Sequence, residues 1–458
     1  MVLLGVLSSA LPARPLARPG QAETNTRPPR LVAVRPLRPN LAAQGVGSYN
    51  GQRRAIRPAG LPGPTYAKAR AMPENAELIE IPSALPPGPA FLQGDEACAE
   101  GAIAAGCTYY AGYPITPASE IMEHICRRFG ELGRHFMQME DEIASIASCI
   151  GASWAGALAM TATSGPGFSL MLENLGYAIA TETPLVIVDV QRAGPSTGQA
   201  TRVAQGDVMQ ARFGASGDYE IIAVAPWSVQ EMYTETIRAF SLAERFRVPV
   251  IVLADEAVGH LRESLQIAPV VRRYRRPQAP GRPPFGEAEV PPMPAFGQGE
   301  KLLVTGSTHD AWGYRRTSSA AAQATLVRRL IDKIRLHEGE IERTVAYHCD
   351  DAPLDMLFVA YGFTARSALR AVLDARRAGR KVGLLRLATL WPFPAATVAR
   401  YAAGARQVVV AEMNQGQLLR EVQRVVPAAR GYHRTDGEII EPEEMRRVIE
   451  EGGADEAR

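Results

Sequence analysis

The sequence predicts an α/β fold with two mostly parallel sheets, preceded by a disordered N-terminal extension, and three observations support this prediction. Short β-branched runs alternate with helical patterns from Phe91 onward, which is typical of repeated βαβ units. The strand-like runs are almost continuously apolar, as in Pro184–Asp189, and such runs suit strands covered on both faces. The first 71 residues instead carry ten prolines and ten arginines without apolar periodicity, so they bury too little surface to offset their ordering entropy.

The net charge divides the chain in the same way. The whole 458-residue chain has a formal charge of +2, but residues 1–71 carry +10, so the remaining 387 residues carry −8. Five cysteines without a C-x-x-C pair exclude a disulfide framework, argue against a zinc or iron–sulfur site on this chain, and favour the cytoplasm. The sequence contains no run of 18 apolar residues, which argues against a membrane-spanning helix.

The first α/β block predicts five helices with strands between them. We expect the helices at about residues 95–106, 119–132, 142–155, 168–181 and 228–246. The strands are expected at Phe136–Met139, Ala157–Thr161, Pro184–Asp189 and Pro249–Leu253. Each strand is followed by a polar or glycine-containing turn, and such turns hold ligands in open α/β sheets.

The pattern breaks after Arg262, where an arginine- and proline-rich stretch predicts an irregular connector over residues 263–350. A second α/β block follows. We expect a strand at Asp355–Gly362, a helix to about Ala378, and strands at Lys381–Leu387 and Gln407–Ala411, with a helix on each side of the last strand.

Four turns of the first block contain candidate site residues, and each has a plainer interpretation. Thr116 lies between two prolines before a helix, where its hydroxyl either caps the helix or helps to bind an anion. Glu142 is one of three acids in a first helical turn, which are usually solvated partners of the helix dipole. The small residues that follow Glu142 would instead let its carboxylate be buried, which raises the pKa.

The other two turns follow strands of the same block. Thr161–Gly167 lets a ligand approach the backbone closely, although it is neither a P-loop nor a G-x-G-x-x-G fingerprint. Arg192 follows a buried strand, where its guanidinium suits either a ligand carboxylate or a surface ion pair.

Several long motifs in order resemble the alpha subunit of 2-oxoacid:ferredoxin oxidoreductases, specifically the 2-oxoglutarate type. The resemblance covers about Phe91 to Val426. Its motifs are Tyr113–Glu120, Gln138–Ser145, Thr161–Met171, Val188–Thr197, Ala388–Pro394 and Glu412–Gln417.

This resemblance implies a thiamine diphosphate enzyme that oxidatively and reversibly decarboxylates a 2-oxoacid to an acyl-CoA and reduces ferredoxin. Glu142 matches the family's glutamate that bonds N1′ of the aminopyrimidine and thereby promotes removal of the thiazolium C2 proton. Thr116, Arg192 and Arg202 match substrate-binding positions, and which of the two arginines meets the substrate carboxylate stays open. The family pattern also implies that Pro114, Ile115, Ser164 and Gly165 contact the cofactor, together with Glu142.

The chain lacks the G-D-G magnesium-diphosphate motif and a cysteine set for clusters, since Asp436-Gly437-Glu438 has no first glycine. We therefore expect Mg²⁺, the diphosphate contacts and a 4Fe-4S cluster on a beta subunit, with coenzyme A as co-substrate. Whether separate gamma and ferredoxin-like delta subunits join the beta subunit as partners stays open, and ferredoxin itself is an expected partner. No metal ligands are predicted on this chain, because its seven histidines lack ligand spacing.

The resemblance also implies the domain organisation. Residues 1–90 would form a disordered extension, 91–262 a pyrimidine-binding domain, 263–350 the connector, and 351–458 a transketolase C-terminal-like domain. Met72 would begin a chain of ordinary length for such a subunit, and an upstream start codon is one explanation for residues 1–71.

Other functions stay open. The substrate could be pyruvate or a branched-chain 2-oxoacid, because a partner also shapes the pocket. A remote alternative is a nucleic-acid binder that uses the arginine-rich segment, but that segment has only one lysine and two tyrosines, none interleaved among the arginines. We expect neither nucleic acid nor a membrane as partner. A non-catalytic structural subunit is opposed by the joint presence of Thr116, Glu142 and Arg192.

Overall fold

The computed structural model describes residues 77–286, 288–351, 353–452 and 456–457. The expectations for residues 1–76, including the disorder of the arginine-rich segment and its remote nucleic-acid role, lie outside these residues. The elements up to residue 275 are β1 (Glu77–Pro82), β2 (Gly88–Gln93), α1 (Gly94–Ala104), β3 (Tyr109–Gly112), α2 (Ser119–Leu132), β4 (His135–Gln138), α3 (Glu142–Trp154), β5 (Ala159–Thr163), α4 (Gly165–Ala180), β6 (Leu185–Ala193), β7 (Gln199–Val203), α5 (Val208–Phe213), β8 (Ile222–Val224), α6 (Val229–Phe246), β9 (Pro249–Asp255), α7 (Glu256–His260), β10 (Arg262–Ile267) and β11 (Val270–Arg275).

The elements that follow are α8 (Ala320–Arg335), α9 (Glu338–Ile341), β12 (Thr344–Tyr347), β13 (Met356–Ala360), α10 (Gly362–Arg377), β14 (Val382–Leu387), β15 (Thr389–Trp391), α11 (Ala395–Ala402), β16 (Val408–Glu412), α12 (Gln417–Gln423), β17 (Arg430–His433), α13 (Pro442–Glu450) and β18 (Glu456–Ala457). Across the described ranges, no helix is long and apolar enough to cross a membrane.

Two parallel-dominated sheets organise the described residues, and they confirm the predicted α/β class. The first has the order β15-β8-β9-β6-β5-β3-β4, with β7 paired to β6. All its neighbours from β8 to β4 are parallel, whereas β15 and β7 are antiparallel to their partners. The second has the order β12-β14-β13-β16-β17-β18, in which only the β12–β14 pair is antiparallel.

Helices cover both faces of the first sheet, which explains why its strands read as continuous apolar runs. Every residue of β6 and β9 is buried. Successive side chains of β6 enter different cores, because strand residues alternate between faces. Ile187 packs with Phe168 of α4 on one face, and Val186 packs with Phe240 of α6 on the other.

The predicted helices agree with the structure to within about three residues. The largest difference is at α4, which begins at Gly165 rather than at residue 168. Pro166 lies in its first turn, where proline lacks only an N–H that would have no helical partner. Because of this proline, the sequence predicted a turn at residues where the helix has already begun.

Two parts of the expected domain organisation differ from the structure. Residues 77–90 were expected in the disordered extension, but they contain β1 and the first half of β2, which pair with β11 and β10. The expected connector 263–350 contains nearly all of β10, the whole of β11, and also α8, α9 and β12. Strand β12 belongs to the second sheet. The arginine run at β11 looked irregular because its partners are distant: Arg272 pairs with Glu80, and Arg275 pairs with Glu77.

Candidate active site

The candidate site lies at the carboxyl edge of the first sheet. Strands β4, β3, β5 and β6 are adjacent and parallel, so the turns that follow them meet at one edge. These turns carry the residues that the sequence singled out: Thr116 after β3, Glu142 after β4, Ser164 and Gly165 after β5, and Arg192 at the end of β6.

Glu142 is the first residue of α3 and is only 4% exposed. The preceding Asp141 caps the helix, and its Oδ1 accepts a hydrogen bond from the Ala144 N–H at 2.7 Å. The cap therefore fixes where the helix begins and leaves Glu142 free to turn inward. Burial raises the pKa of Glu142, and the nearby Arg192 opposes that rise only in part. The structure thus bears out the burial that the small residues of α3 suggested.

A gap in α4 receives the Glu142 carboxylate. A Cβ added at Gly167 would lie 2.2 Å from Oε1 of Glu142 and 2.2 Å from Oγ1 of Thr163. Only a glycine leaves room for both groups against the first turn of α4. Sequence reasoning included Gly167 in a turn motif but missed this packing role, since nothing local links it to a residue 25 positions earlier.

The start of α4 presents a second polar feature. Ser164 is fully buried, and among the described residues its hydroxyl has no hydrogen-bond partner. A Cβ added at Gly165 would lie 3.0 Å from Oδ2 of Asp207. The Asp207 carboxylate therefore lies close to the N-terminus of α4, and the Ser164 hydroxyl at that end has no hydrogen-bond partner among the described residues.

Arg192 and Thr116, two of the predicted substrate-binding residues, are in direct contact. Its Nη1 donates to the backbone carbonyl of Thr116 at 2.7 Å, and its Nη2 donates to the carbonyl of Thr197 at 2.8 Å. The side chain is buried, and within the described ranges its Nε has no hydrogen-bond partner. The competing interpretation as a surface ion pair is wrong, because both bonds go to backbone carbonyls.

The loop after β3 is more open. Pro114 is exposed, whereas Ile115 and Thr116 are half-buried. Arg192 holds this loop through the Thr116 carbonyl, so the structure brings Thr116 to Arg192.

Arg202 lies elsewhere. Its side chain is 53% exposed, and its Nη1 is 2.7 Å from Oε1 of Glu438 in the second α/β block. It does not line the cavity that Arg192 lines. Of the two arginines that the sequence left open, the geometry favours Arg192 as the one that meets a carboxylate.

A cavity of about 670 Å³ opens beside Arg192. Residues of the first block line one side, and polar residues of the second block line the other. The lining includes Gly165, Arg192 and Asp207 from the first block and Asn414, Gln417 and Thr435 from the second. Its volume falls within the range of small-molecule sites.

Gln205 links the two blocks beneath this cavity. Its amide nitrogen donates to Asp255 and to the Tyr361 carbonyl, both at 3.2 Å, and its amide oxygen accepts from the Met413 N–H at 3.0 Å. Asn414 donates to the Gln205 carbonyl at 2.7 Å. Sequence reasoning missed this residue, because its partners are 50 to 209 positions away.

A buried carboxyl pair also lies beside the cavity. Asp189 on β6 is fully buried and contacts Asp207, which lines the cavity. Burial raises the pKa of both groups, so the pair retains a proton where isolated carboxyls would be ionised. The sequence carried no signal for Asp189, because its contact with Asp207 depends on how β6 packs against the start of α5.

Comparisons with known proteins show the family of this chain. Residues 100–329 match the family "Pyruvate flavodoxin/ferredoxin oxidoreductase, thiamine diP-bdg", and residues 354–445 match "Pyruvate:ferredoxin oxidoreductase core domain II". The 2-oxoglutarate synthase subunit KorA of Methanocaldococcus jannaschii is 48% identical over 366 residues, which cover 78% of this chain and 98% of that protein.

Two further similar proteins differ from the KorA subunit, one in the substrate that its name states and the other in its length. The ketoisovalerate oxidoreductase subunit VorB of Methanothermobacter thermautotrophicus is 37% identical over 80% of this chain and 98% of its own. A solved 2-oxoglutarate:ferredoxin oxidoreductase from Magnetococcus marinus, with 2-oxoglutarate, coenzyme A and succinyl-CoA bound, is 31% identical with a TM-score of 0.76. That match covers 80% of this chain and 65% of the solved one. The chain therefore belongs to the 2-oxoacid:ferredoxin oxidoreductase family and is of its alpha-subunit type.

Proposed function

We propose that this chain is the alpha subunit of a 2-oxoglutarate:ferredoxin oxidoreductase, which decarboxylates 2-oxoglutarate oxidatively to succinyl-CoA and reduces ferredoxin. The observation that carries the proposal is the meeting of the buried Glu142 carboxylate with the Arg192–Thr116 pair at one sheet edge. The 48% identity to a 2-oxoglutarate synthase subunit over 98% of its length supports the substrate.

The residues at this edge fit thiamine diphosphate. Glu142 presents a carboxylate whose raised pKa suits a hydrogen bond to a ring nitrogen, and Gly167 leaves space beside it. The unpartnered, buried Ser164 hydroxyl at the N-terminus of α4 is a further group that a bound cofactor would satisfy. When bound, thiamine diphosphate supplies the nucleophilic carbon and electron sink that decarboxylation of a 2-oxoacid needs.

The chain's own residues then have distinct tasks. Glu142 holds a proton at its carboxylate and shares it with the pyrimidine nitrogen, and the dry surroundings strengthen this bond. Arg192 carries a permanent charge and a free Nε–H, which suit the carboxylate of the 2-oxoacid. Thr116 is fixed beside Arg192 by its own carbonyl and orients the substrate through its hydroxyl. Pro114 and Ile115, on the same loop as Thr116, would help to hold the cofactor.

A partner chain completes the site in this proposal. Four large apolar side chains stand exposed around the edge: Tyr113, Met137, Ile143 and Leu170. Such an exposed apolar rim is expected where a beta subunit covers the cofactor. We place Mg²⁺, the diphosphate contacts and a 4Fe-4S cluster on that subunit, with coenzyme A as co-substrate, ferredoxin as acceptor, and gamma and delta chains as further partners. The five free thiols support a cytoplasmic setting.

The test is a substrate panel on the purified complex of this chain with its beta partner. Reduction of ferredoxin would be followed with 2-oxoglutarate, pyruvate and 3-methyl-2-oxobutanoate, each with coenzyme A. The proposal expects the highest kcat/KM for 2-oxoglutarate. The similarity to a ketoisovalerate oxidoreductase subunit makes a branched-chain 2-oxoacid the second candidate. A higher kcat/KM for either other acid would overturn the substrate, and a complex that binds no thiamine diphosphate would overturn the reaction.

A further inference from the structure

Outside the candidate active site, three potential metal ligands from distant parts of the sequence meet near the start of α1. Asp95 lies on α1, Glu120 on α2 and His260 at the end of α7. One ligand atom from each lies within 4.8 Å of the other two. Sequence spacing gave no sign of this cluster, because its members are 25 to 165 positions apart.

Asp95 gives the strongest indication that this cluster binds a cation. It is fully buried, and within the described residues neither of its carboxylate oxygens has a hydrogen-bond partner. A buried carboxylate with no donor is costly unless a cation or a proton neutralises it. Burial raises its pKa, and the neighbouring Glu120 and Glu256 raise it further. Three carboxyl groups, those of Asp95, Glu120 and Glu256, thus surround the single imidazole of His260.

His260 is oriented as metal-binding histidines are. Its Nδ1 is 3.0 Å from Oε1 of Glu256, and its Nε2 is 3.7 Å from Oε1 of Glu120. Glu256 would accept the Nδ1 proton and leave the Nε2 lone pair facing Asp95 and Glu120. A carboxylate behind the ligating histidine is the usual arrangement at protein metal sites.

Two glycines make the cluster sterically possible. A Cβ added at Gly94 would lie 2.0 Å from the Val258 carbonyl oxygen, and one added at Gly259 would lie 2.8 Å from Oδ1 of Asp95. These positions let the backbones of α1 and α7 touch, which brings Asp95 and His260 together. The short distance is therefore built into the fold.

We propose that Asp95, Glu120 and His260 bind one divalent transition-metal cation, such as Zn²⁺ or Mn²⁺. Two carboxylates and one imidazole suit these ions, and the Glu120 side chain is 40% exposed, which leaves a path for entry. The ion ties α1, α2 and α7 together. Because α2 follows the Thr116 loop, the ion also fixes the base of that loop.

Metal binding by the full chain tests the proposal. The chain would be stripped with EDTA, titrated with Zn²⁺ and separately with Mn²⁺, and assayed for bound metal after dialysis. We expect one ion per wild-type chain beyond the amount bound by Asp95→Asn or His260→Gln, and a rise in Tm with metal that those variants lack. Glu256→Gln should weaken binding by about 10- to 100-fold, because it removes the group that orients His260.

Two further variants guard against a folding artefact. Glu120→Gln changes a partly exposed ligand and should lose the ion without loss of Tm in EDTA. Glu123→Gln lies exposed on the same helix and should bind metal like the wild type. The proposal is overturned if the folded wild type binds neither ion, or if the ligand variants bind as much as Glu123→Gln. The first outcome would leave a protonated His260, with a pKa raised to about 9 by Glu256, as the counter-charge of Asp95.

Discussion

At the residue scale, the burial of two charged groups separates the candidate site from the rest of the sheet edge. Glu142 and Arg192 are both nearly inaccessible, and the terminal nitrogens of Arg192 donate to backbone carbonyls rather than to a carboxylate. Within the described residues, the Nε of Arg192 has no hydrogen-bond partner. Structural ion pairs in the same molecule look different: Glu182, for example, contacts both Arg329 and Lys333. Unused polar groups in a dry site are typical of positions that await a ligand.

Removing Arg192 should affect substrate binding far more than removing Arg202. A lost hydrogen bond to a charged group costs about 1.5–3 kcal/mol, so Arg192→Ala should lower kcat/KM for the 2-oxoacid by roughly 10- to 150-fold. Arg192→Lys should not restore it, because lysine lacks the planar fork. Arg202→Ala removes an exposed pair with Glu438 and should change kcat/KM by less than about fivefold. Steady-state kinetics of the three complexes decides, and the opposite order would assign the carboxylate to Arg202.

The sequence placed Glu142, Thr116 and Ser164 at turns that follow parallel strands, because strand and turn signals are local; Arg192, expected just after a strand, lies near the end of β6. The sequence could not reveal the contacts of Gly167 with Glu142, of Asp189 with Asp207, or of Gln205 with the second block. Their contacts depend on how α3, α4 and the second block pack, and packing joins positions that no short motif connects.

At the element scale, the antiparallel pair of β1 and β11 is a part of the fold that the sequence did not predict. Strand β11 carries Arg272, Arg273 and Arg275, which predicted a connector, yet it pairs with β1 over six residues. Alternating burial on β11 shows the period of a strand, with Val271 and Arg273 inside. The pattern was hidden because the inner position is an arginine that donates to the Ala105 carbonyl.

Helix α8 provides an element-scale prediction, because Glu182 anchors it. This fully buried carboxylate lies 2.7 Å from Nη2 of Arg329 and 3.0 Å from Nζ of Lys333. Burial alone would raise its pKa, but Lys333, Arg329 and Arg247 overcome that effect and lower it to about 2. Because the folded pKa lies below the ordinary value of 4.5, the ionised pair stabilises the fold above about pH 4.5. That stability is lost as the pH falls from there towards 2.

Glu182→Gln should therefore lower the free energy of unfolding at pH 7 by about 3–5 kcal/mol, since it leaves two buried cations uncompensated. The loss should shrink as the pH falls below about 4.5. Urea unfolding at pH 7, 4 and 3 measures both effects, with Glu173→Gln, exposed on α4, as the control. An equal loss at all three pH values would contradict the assigned pKa.

At the scale of the whole molecule, the two α/β blocks are joined by a strand of the second block that belongs to the sheet of the first. Strand β15 follows the second block's β14 but pairs with β8 of the first sheet. Its Trp391 is buried and donates from Nε1 to the Val208 carbonyl at 2.9 Å. In the sequence this stretch stands out only as part of the motif Ala388–Pro394, whereas in the structure it packs between the two blocks.

This sharing predicts that the two blocks unfold together. Trp391→Ala should lower the free energy of unfolding by about 3–5 kcal/mol, because it leaves a cavity at the junction and an unpaired Val208 carbonyl. Scanning calorimetry of the wild type should show one main transition for the two blocks. The variant should show that transition at a lower temperature or divided into two. A wild type with two separate transitions would contradict the shared architecture.

The central claim is that Glu142 on this chain activates thiamine diphosphate for decarboxylation of a 2-oxoacid. The most direct measurement is the rate of hydrogen–deuterium exchange at C2 of thiamine diphosphate bound to the complex with the beta partner, for wild type and Glu142→Gln. Since general acid–base catalysis contributes about 10²- to 10⁴-fold, we expect exchange to slow by at least about 10²-fold in the variant while the cofactor stays bound. Exchange at the wild-type rate in a folded, cofactor-bound Glu142→Gln complex would contradict the claim.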